Sequence, residues 1–345
     1  MKSSKEEEYM TIERKKMVLP LLCSPFQPGE AEIAKDRLTD KDQKEIAQAE
    51  IFYFSGNAEA CAEITKEYID HEEITIRMAA CILYCFSNLT RGEIEEAKKS
   101  VGLMKECLQQ SFVDDVDMGT RACSVFAMNL STVLLHIPAD DLPKLEDYMK
   151  YLPMGMRLYA MYIMAHEAYL SCDYERALGM AQSALLLTDE VYPIPMIYLQ
   201  CLISMCYINL KNPDQARTVF QEAWEMARKD KFLEPFIEHH GLFQGMVESC
   251  VRKSEPQLYK KLVNGVVAFS RGWMKIHNPT MNNQITELLT PMEYSIAMLA
   301  CRDWTNQEIG DYLELSTNTV KHYVSRILEK LGISKREQIK EYVNQ

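Results

Sequence analysis

Long hydrophobic runs are missing from this sequence. Nothing approaches the roughly eighteen uninterrupted apolar residues of a membrane helix, which excludes a helical span. The one hint of an export signal is Lys15-Lys16 followed by Met17 to Cys23. It is too short and carries Pro20, so it reads as a strand or loop packed at the edge of the first domain, in a cytoplasmic protein with no membrane partner. Closely paired cysteines are missing too. The chain has eleven cysteines but no Cys-x-x-Cys pair, and Cys81, Cys85, Cys201 and Cys206 sit in apolar helical stretches, where a thiol behaves as a small hydrophobe. A disulfide framework and a zinc site are both excluded on this pattern. Excess positive charge is absent as well: the formal net charge is −12, the wrong sign for coating nucleic acid non-specifically. A local site for specific DNA is still allowed, because charges more than about 8 Å away are largely screened. There is no G-x-S-x-G, no pair of catalytic carboxylates and no activated cysteine context, so the chain does not read as an enzyme. His239 and His240 are adjacent and point about 100° apart on a helix, which is poor geometry for one metal. Neither metal nor cofactor is assigned.

What remains is helix. The chain has 345 residues, 47% of them hydrophobic and 26% charged, ordinary for a globular protein and long enough for two domains. Residues 1–29 form a charged and irregular N-terminal segment, with Pro20, Pro25, Pro28 and Gly29 breaking its second half. Residues 30–276 are helical in pattern, with few glycine turns and no alternating strand segments. The polar, proline-interrupted stretch from His277 marks a linker over 277–285, and 286–345 form a second domain.

Within the first domain one pattern recurs. Ala168 to Ala184 reads AYLSCDYERALGMAQSA, and Tyr207 to Ala223 reads YINLKNPDQARTVFQEA, an offset of 39 residues. Each has a helix end, a turn marked by Asp or Pro, and a second helix with alanines seven apart: Ala177 and Ala184, then Ala216 and Ala223. Small residues let the two helices of a hairpin approach closely, and Ala165 and Ser204 occupy matching places on the preceding helices. Weaker echoes turn around Ala60 and Ala97, and another unit fits near Asp140 to Tyr151. The pattern resembles tetratricopeptide repeats with a lengthened period, the remaining helices through Trp273 capping the array. The alternative is an irregular helical domain with two similar hairpins.

The last sixty residues can be built from local rules. Thr290 with Glu293, Thr305 with Glu308 and Ser334 with Glu337 are capping boxes, and Pro291 is a first-turn proline. Ser316 caps the helix between, and Gly332 supplies a left-handed helix end. Four helices follow, Pro291 to Arg302, Asn306 to Leu313, Thr317 to Leu331 and Lys335 to Val343, the second and third joined as in a helix-turn-helix. On the third, Val320, Tyr323, Val324, Ile327 and Leu331 form one apolar stripe. The opposite face carries Asn318, Lys321, His322, Ser325, Arg326 and Glu329, with cations and small hydrogen-bonding groups toward the end that enters a major groove.

Leu289-Thr-Pro-Met-Glu293, Thr305-Asn-Gln-Glu-Ile309, Leu315-Ser-Thr-Asn-Thr-Val-Lys321 and Lys330-Leu-Gly332 together resemble the LuxR/GerE-type DNA-binding domain. The resemblance runs without a gap from Leu289 to about Val343. It implies base contacts from Lys321, His322 and Ser325, and backbone contacts from Thr305, Asn306, Thr317, Thr319, Tyr323 and Arg326. It also implies pairing of two copies through Ile339, Tyr342 and Val343 on the fourth helix. There are departures from the family pattern. Tyr323 stands where histidine is usual, Asp303 replaces a glycine, and Met292, Tyr294 and Ser295 replace a charged run, which suggests a different contact surface on the first helix.

The whole chain therefore reads as all-α, a helical-hairpin array followed by a four-helix LuxR-type helix-turn-helix domain. The repeat half resembles the sensor regions of maltose-activator-like regulators but lacks their nucleotide-binding motif. Tyr159, Tyr162, His166, Tyr198 and Tyr207 are candidates for an effector groove. The implied function is a homodimeric, sequence-specific regulator binding double-stranded DNA, its helical half receiving a peptide, protein or small-molecule effector. A sigma-factor-like promoter binder and an interaction scaffold with a vestigial helix-turn-helix are the alternatives.

Overall fold

Hairpin turns are where this sequence dictates its fold most directly. A computed structural model describes residues 18–113, 115–136, 142–277, 288–301 and 304–340, and every regular element among them is helical. A short helix α1 (Ala31–Asp36) precedes the hairpins α2 (Lys41–Phe54) with α3 (Ala58–Lys66) and α4 (Ile74–Arg91) with α5 (Ile94–Val113). Next come α6 (Met118–Leu134) with a 3-10 turn over Leu145–Tyr151, then α7 (Met154–Leu170) with α8 (Tyr174–Leu185), and α9 (Pro193–Asn209) with α10 (Pro213–Asp230).

Four of the turns share one construction. Gly56, Gly92, Cys172 and Lys211 take left-handed φ values of 72°, 78°, 60° and 55°. The next residue's N–H reaches back five positions, Asn57 to Phe52, Glu93 to Asn88, Asp173 to Ala168 and Asn212 to Tyr207, at 2.8–3.0 Å. These bonds satisfy carbonyls that a helix end leaves orphaned. Asn57, Asp173 and Asn212 then cap the following helix through their side chains. A left-handed Cys or Lys costs about 1–2 kcal/mol where glycine costs nothing, so Cys172 and Lys211 are held by the double capping around them. The alanines behave as expected. Ala165, Ala177, Ala184, Ala216 and Ala223 are fully buried, and the Ser204 hydroxyl donates to the Ala216 carbonyl at 2.8 Å across the hairpin.

The helices after the hairpins do not simply cap the stack. Breaks at His239 and at the left-handed Gln244 and Gly245 divide them into α11 (Glu234–Glu238), α12 (His240–Phe243) and α13 (Met246–Cys250), and α14 (Pro256–His277) then runs back to the first hairpins. At Gly272 a Cβ would lie 1.8 Å from the Leu89 carbonyl oxygen, so α14 crosses α4 where only glycine fits. The Leu233 N–H donates to the Phe54 carbonyl at 2.6 Å, tying the same segment to α2. At the other end, Val18 to Cys23 form a buried turn rather than a strand. The Glu50 carboxylate accepts the Leu21 and Leu22 N–H groups at 2.7 and 2.9 Å. Burial pushes its carboxyl up to about 8, against the lowering effect of those two bonds.

Cys81, Cys85, Cys201 and Cys206 are buried free thiols. Helix α14 ends at His277, where the expected linker starts; residues 278–287 lie outside the described set. The C-terminal unit comprises α15 (Pro291–Cys301), α16 (Asn306–Leu313), α17 (Thr317–Leu331) and a 3-10 turn over Arg336–Ile339.

Candidate nucleic-acid interface

The caps set the geometry of the C-terminal unit. Thr290 and Glu293 exchange backbone-to-side-chain bonds at 2.8 and 3.3 Å, and Thr305 and Glu308 do so at 2.6 and 3.2 Å. Ser316 accepts from the Thr319 N–H at 3.0 Å, and Gly332 ends α17 at φ 67°. The third expected box does not form. Gln338 Oε1 takes the Ser334 and Lys335 N–H groups at 3.2 and 2.9 Å, leaving Glu337 in solvent; the expected fourth helix opens as a 3-10 turn over Arg336–Ile339, and its remainder from 341 lies outside the described residues.

Helix α17 divides as its pattern requires. Val320, Val324, Ile327 and Leu331 are buried and Tyr323 is half-buried, while Asn318, Lys321, His322, Ser325, Arg326 and Glu329 are exposed. No described residue hydrogen-bonds to the Lys321, His322 or Ser325 side chains, so the three stand together and open. Arg326 leans 3.5 Å from Glu293, whose other oxygen holds the Lys330 ammonium at 2.6 Å. Burial alone would raise the Glu293 carboxyl. The Lys330 bond and those from Thr290 more than offset it and hold Glu293 below the ordinary value. The buried carboxylate therefore stays charged and fixes α15 against α17.

Four of the candidate backbone contacts sit at helix starts, where free N–H groups attract phosphate, while Tyr323 and Arg326 lie further along α17. Thr305 is exposed and Asn306 half-buried at the start of α16. Thr317 and Thr319 flank the start of α17, with the Thr317 hydroxyl donating to Gln307 Oε1 at 2.7 Å. Sequence reasoning missed Arg336. Its guanidinium reaches Asn306 Oδ1 and the Trp304 carbonyl, and with Lys340 it lines a cleft of about 370 Å³ beside Thr305. The only sequence signal was a cation shortly after the α17 glycine. The pairing residues divide differently from expectation. Ile339 is fully buried, packed within its own unit, and Tyr342 and Val343 lie outside the described residues.

The unit is docked on the helical body, and Lys321, His322 and Ser325 stay exposed beside the dock. Tyr312 is buried, its hydroxyl donates to the Phe243 carbonyl at 3.0 Å, and its own carbonyl accepts from Arg217 at 3.1 Å. Lys253 meets Glu314 at 3.1 Å. Gly245, at φ +94°, admits Leu313 so closely that a Cβ would lie 2.3 Å from its Cδ2. Tyr294 lies over Gly241, and Ser295 donates to Glu248 at 3.4 Å, so two of the departures noted on the first helix are dock residues.

Of the candidate effector groove, four residues come together and one does not. The Tyr159, Tyr162 and Tyr198 rings form a triangle with centroids 5.0–5.1 Å apart, and His166 lies 5.5 Å from Tyr162. All four are buried, because α11 and its successors fold inward over them, so this is an enclosed cluster and not an open groove. Tyr207 stands apart, its hydroxyl accepting from Gln182 at 3.1 Å. The two adjacent histidines diverge as expected. His239 takes the Tyr162 hydroxyl at 2.7 Å and donates from Nδ1 to the Pro235 carbonyl, while His240 pairs with Glu248 at 2.7 Å.

Residues 287–343 match the family described as bacterial regulatory proteins, luxR family. The chain is similar to "Transcriptional regulatory protein LiaR" of Bacillus subtilis, 33% identical over 27% of this chain and 41% of that protein. It is 31% identical to "Probable transcriptional regulatory protein SgaR" of Hyphomicrobium methylovorum over 25% of this chain and 40% of that protein. "Response regulator protein VraR" of Staphylococcus saprophyticus is 28% identical over 34% and 64%. The chain thus spans only about two-fifths to two-thirds of the length of these relatives.

Proposed function

We propose that this luxR-family helix-turn-helix serves a non-enzymatic, cytoplasmic, sequence-specific transcription regulator whose helical half senses an effector. One observation carries the DNA half. Lys321, His322 and Ser325 stand open on one face of α17 while the opposite stripe is buried, and docking on the helical body leaves that face clear. An arm that has to place side chains against base edges needs this rigidity behind it. The described relatives named as transcriptional regulators support the same reading.

The regulator acts as a homodimer on paired half-sites, with pairing left to Tyr342 and Val343, since Ile339 is taken up by its own core. The tetratricopeptide-like hairpins supply the sensing half. A signal works only if it binds one arrangement of helical body and DNA-binding unit better than another, because equal affinity for both shifts nothing.

Selection of bound fragments from a genomic library, followed by a gel shift on the recovered site, tests the DNA half. Lys321→Ala is expected to weaken the specific complex by about 1–3 kcal/mol while leaving random DNA little affected. Equal loss on both would make Lys321 a phosphate contact. Failure to recover any selective complex would favour the scaffold alternative.

A further inference from the structure

The enclosed cluster has a feature that packing does not explain: an acidic side chain on its wall and a second one turn away, with no cation. Glu234 and Glu238 lie one turn apart on α11. The hydroxyls of Tyr53 and Tyr198 both donate to Glu238, the latter at 2.8 Å. Glu234 is 2% exposed, and its Oε1 has no hydrogen-bond partner. No described Lys or Arg forms an ion pair with either. Lys261, exposed on α14, acts on Glu234 only through space. Beside Glu238 is a void of about 20 Å³ walled by Tyr53, Tyr159, Tyr198, Leu22 and Leu130. That is room for one group the size of a water or an ammonium. Glu238 is half-buried, the one residue of α11 that is not fully covered, so its side of the void lies nearest solvent.

We propose that this cluster is a binding site for the ammonium head of a small amine, seated among the tyrosine rings against Glu238, with its apolar arm leaving past that residue. The inference deepens the sensing half of the function proposed above and rests on it for its biological role. The chemistry selects the class. Tyrosine faces attract a cation at ring-centroid distances within about 6 Å. Buried acids without a counter-ion are costly, and a cation would relieve that cost. An anion would instead meet the Glu238 carboxyl, and a polyhydroxylated ligand would meet walls that are mostly ring and aliphatic carbon. Burial already holds both carboxyls up, Glu238 to about 7 against the bonds from Tyr53 and Tyr198, as expected of acids short of positive charge. His166 and His239 offer no substitute cation. Burial lowers both, His239 to about 4.

The test is thermal unfolding of the full chain with n-butylammonium chloride. n-Butanol, sodium butyrate and sodium chloride at matched ionic strength serve as comparisons. Only the amine should raise Tm, with saturation. Glu238→Gln should weaken the response at least tenfold while the variant still melts cooperatively. Tyr207→Phe, outside the cluster, should keep the full response. Tyr159→Leu, which removes a cage ring but no charge, should also weaken it and serves if Glu238→Gln does not fold. An equal shift with butanol, no shift with the amine, or an undiminished shift in both cage variants overturns the site. Operator binding measured with and without the amine separates the two readings. A Tm shift with unchanged operator affinity supports the site and removes its sensing role. A selective operator complex with no Tm response removes the site and leaves the DNA-binding reading standing.

Discussion

Tyr312→Phe is the sharpest probe of how the DNA-binding unit sits on the helical body. The hydroxyl lost is the one that donates to the Phe243 carbonyl at 3.0 Å in a buried setting. The ring itself stays, still edge-on to Trp304 at 5.3 Å, so little packing is lost inside the unit. What remains is a buried carbonyl on α12 without its partner, worth about 1–3 kcal/mol. If that bond exists only when the unit is docked, the docking equilibrium should shift by roughly 5- to 150-fold. Hydrogen exchange read on peptides covering 239–250 reports it, because α12 and α13 are short helices whose outer cover is the docked unit. Exchange there should speed up within that range while α9 (Pro193–Asn209) keeps its protection. A uniform speed-up across both segments would mean global destabilisation. No change at 239–250 would mean that the dock does not protect those helices, and either result refutes the reasoning. Arg217→Met removes the other bond at Tyr312, to its carbonyl, so its effect should not simply add to that of Tyr312→Phe.

Trp224 is 5% exposed, edge-on to Phe236 at 5.1 Å, and its Nε1 donates to Glu255 at 2.9 Å, so Trp224→Ala should destabilise by about 3–5 kcal/mol in chemical denaturation. A loss under 1 kcal/mol would place that ring outside the core. Glu50 titrates near 8 in the folded chain against 4.5 unfolded, so the folded state holds more protons between those values and stability contributed by this residue falls as pH rises through them. The stability difference between wild type and Glu50→Gln should therefore drift against wild type by at most about 1.4 kcal/mol per pH unit from 4.5 to 8. A difference that is flat over that window would show that the Leu21 and Leu22 N–H groups keep the carboxylate ionised.

The DNA-binding unit was legible because its signals are local. A cap box needs two residues three apart, and a buried stripe needs one helix. The 3-10 turn at Arg336 was less so: Gln338 competes with Glu337 for the same N–H groups, and sequence spacing does not decide between them. Ala177, Ala184, Ala216 and Ala223 revealed the hairpins, since close helix approach leaves a compositional mark. The inward return of α11 to α14 left none that spacing could read. Gly272 against Leu89 joins positions far apart in the chain, and a glycine in a helix looks alike whether it is crossed or merely tolerated. Tyr159, Tyr162, His166 and Tyr198 were grouped from their helical spacing, but Glu234, Glu238 and Tyr53 reach them from other parts of the chain. Tyr294 and Ser295 are instructive in the other direction. They stood out as departures from a familiar pattern, and they mark the surface where this chain's own helical body sits.

The acids and one side of the dock are neighbours in one short run of chain, 234–250, against which the rings pack. Tyr162 bonds His239 at 2.7 Å, the His239 ring lies 6.3 Å from Phe243, and the Phe243 carbonyl holds Tyr312. Contiguity of this kind is not coupling, which needs an element with two arrangements that both ends bias. Helices α11 to α13 are the part of the body best suited to have two. They are four or five residues each, separated by His239 and by Gln244 with Gly245 at φ +94°, and they owe their cover to the aromatic cluster on one side and the DNA-binding unit on the other. A cation drawn against Glu238 would pull on the first of them, and loss of the Tyr312 hydroxyl would release the second. The same exchange measurement on 239–250, repeated with butylammonium present, reads both ends at once. If the amine raises Tm yet leaves that exchange untouched in wild type and in Tyr312→Phe alike, cluster and dock share a segment without sharing a switch.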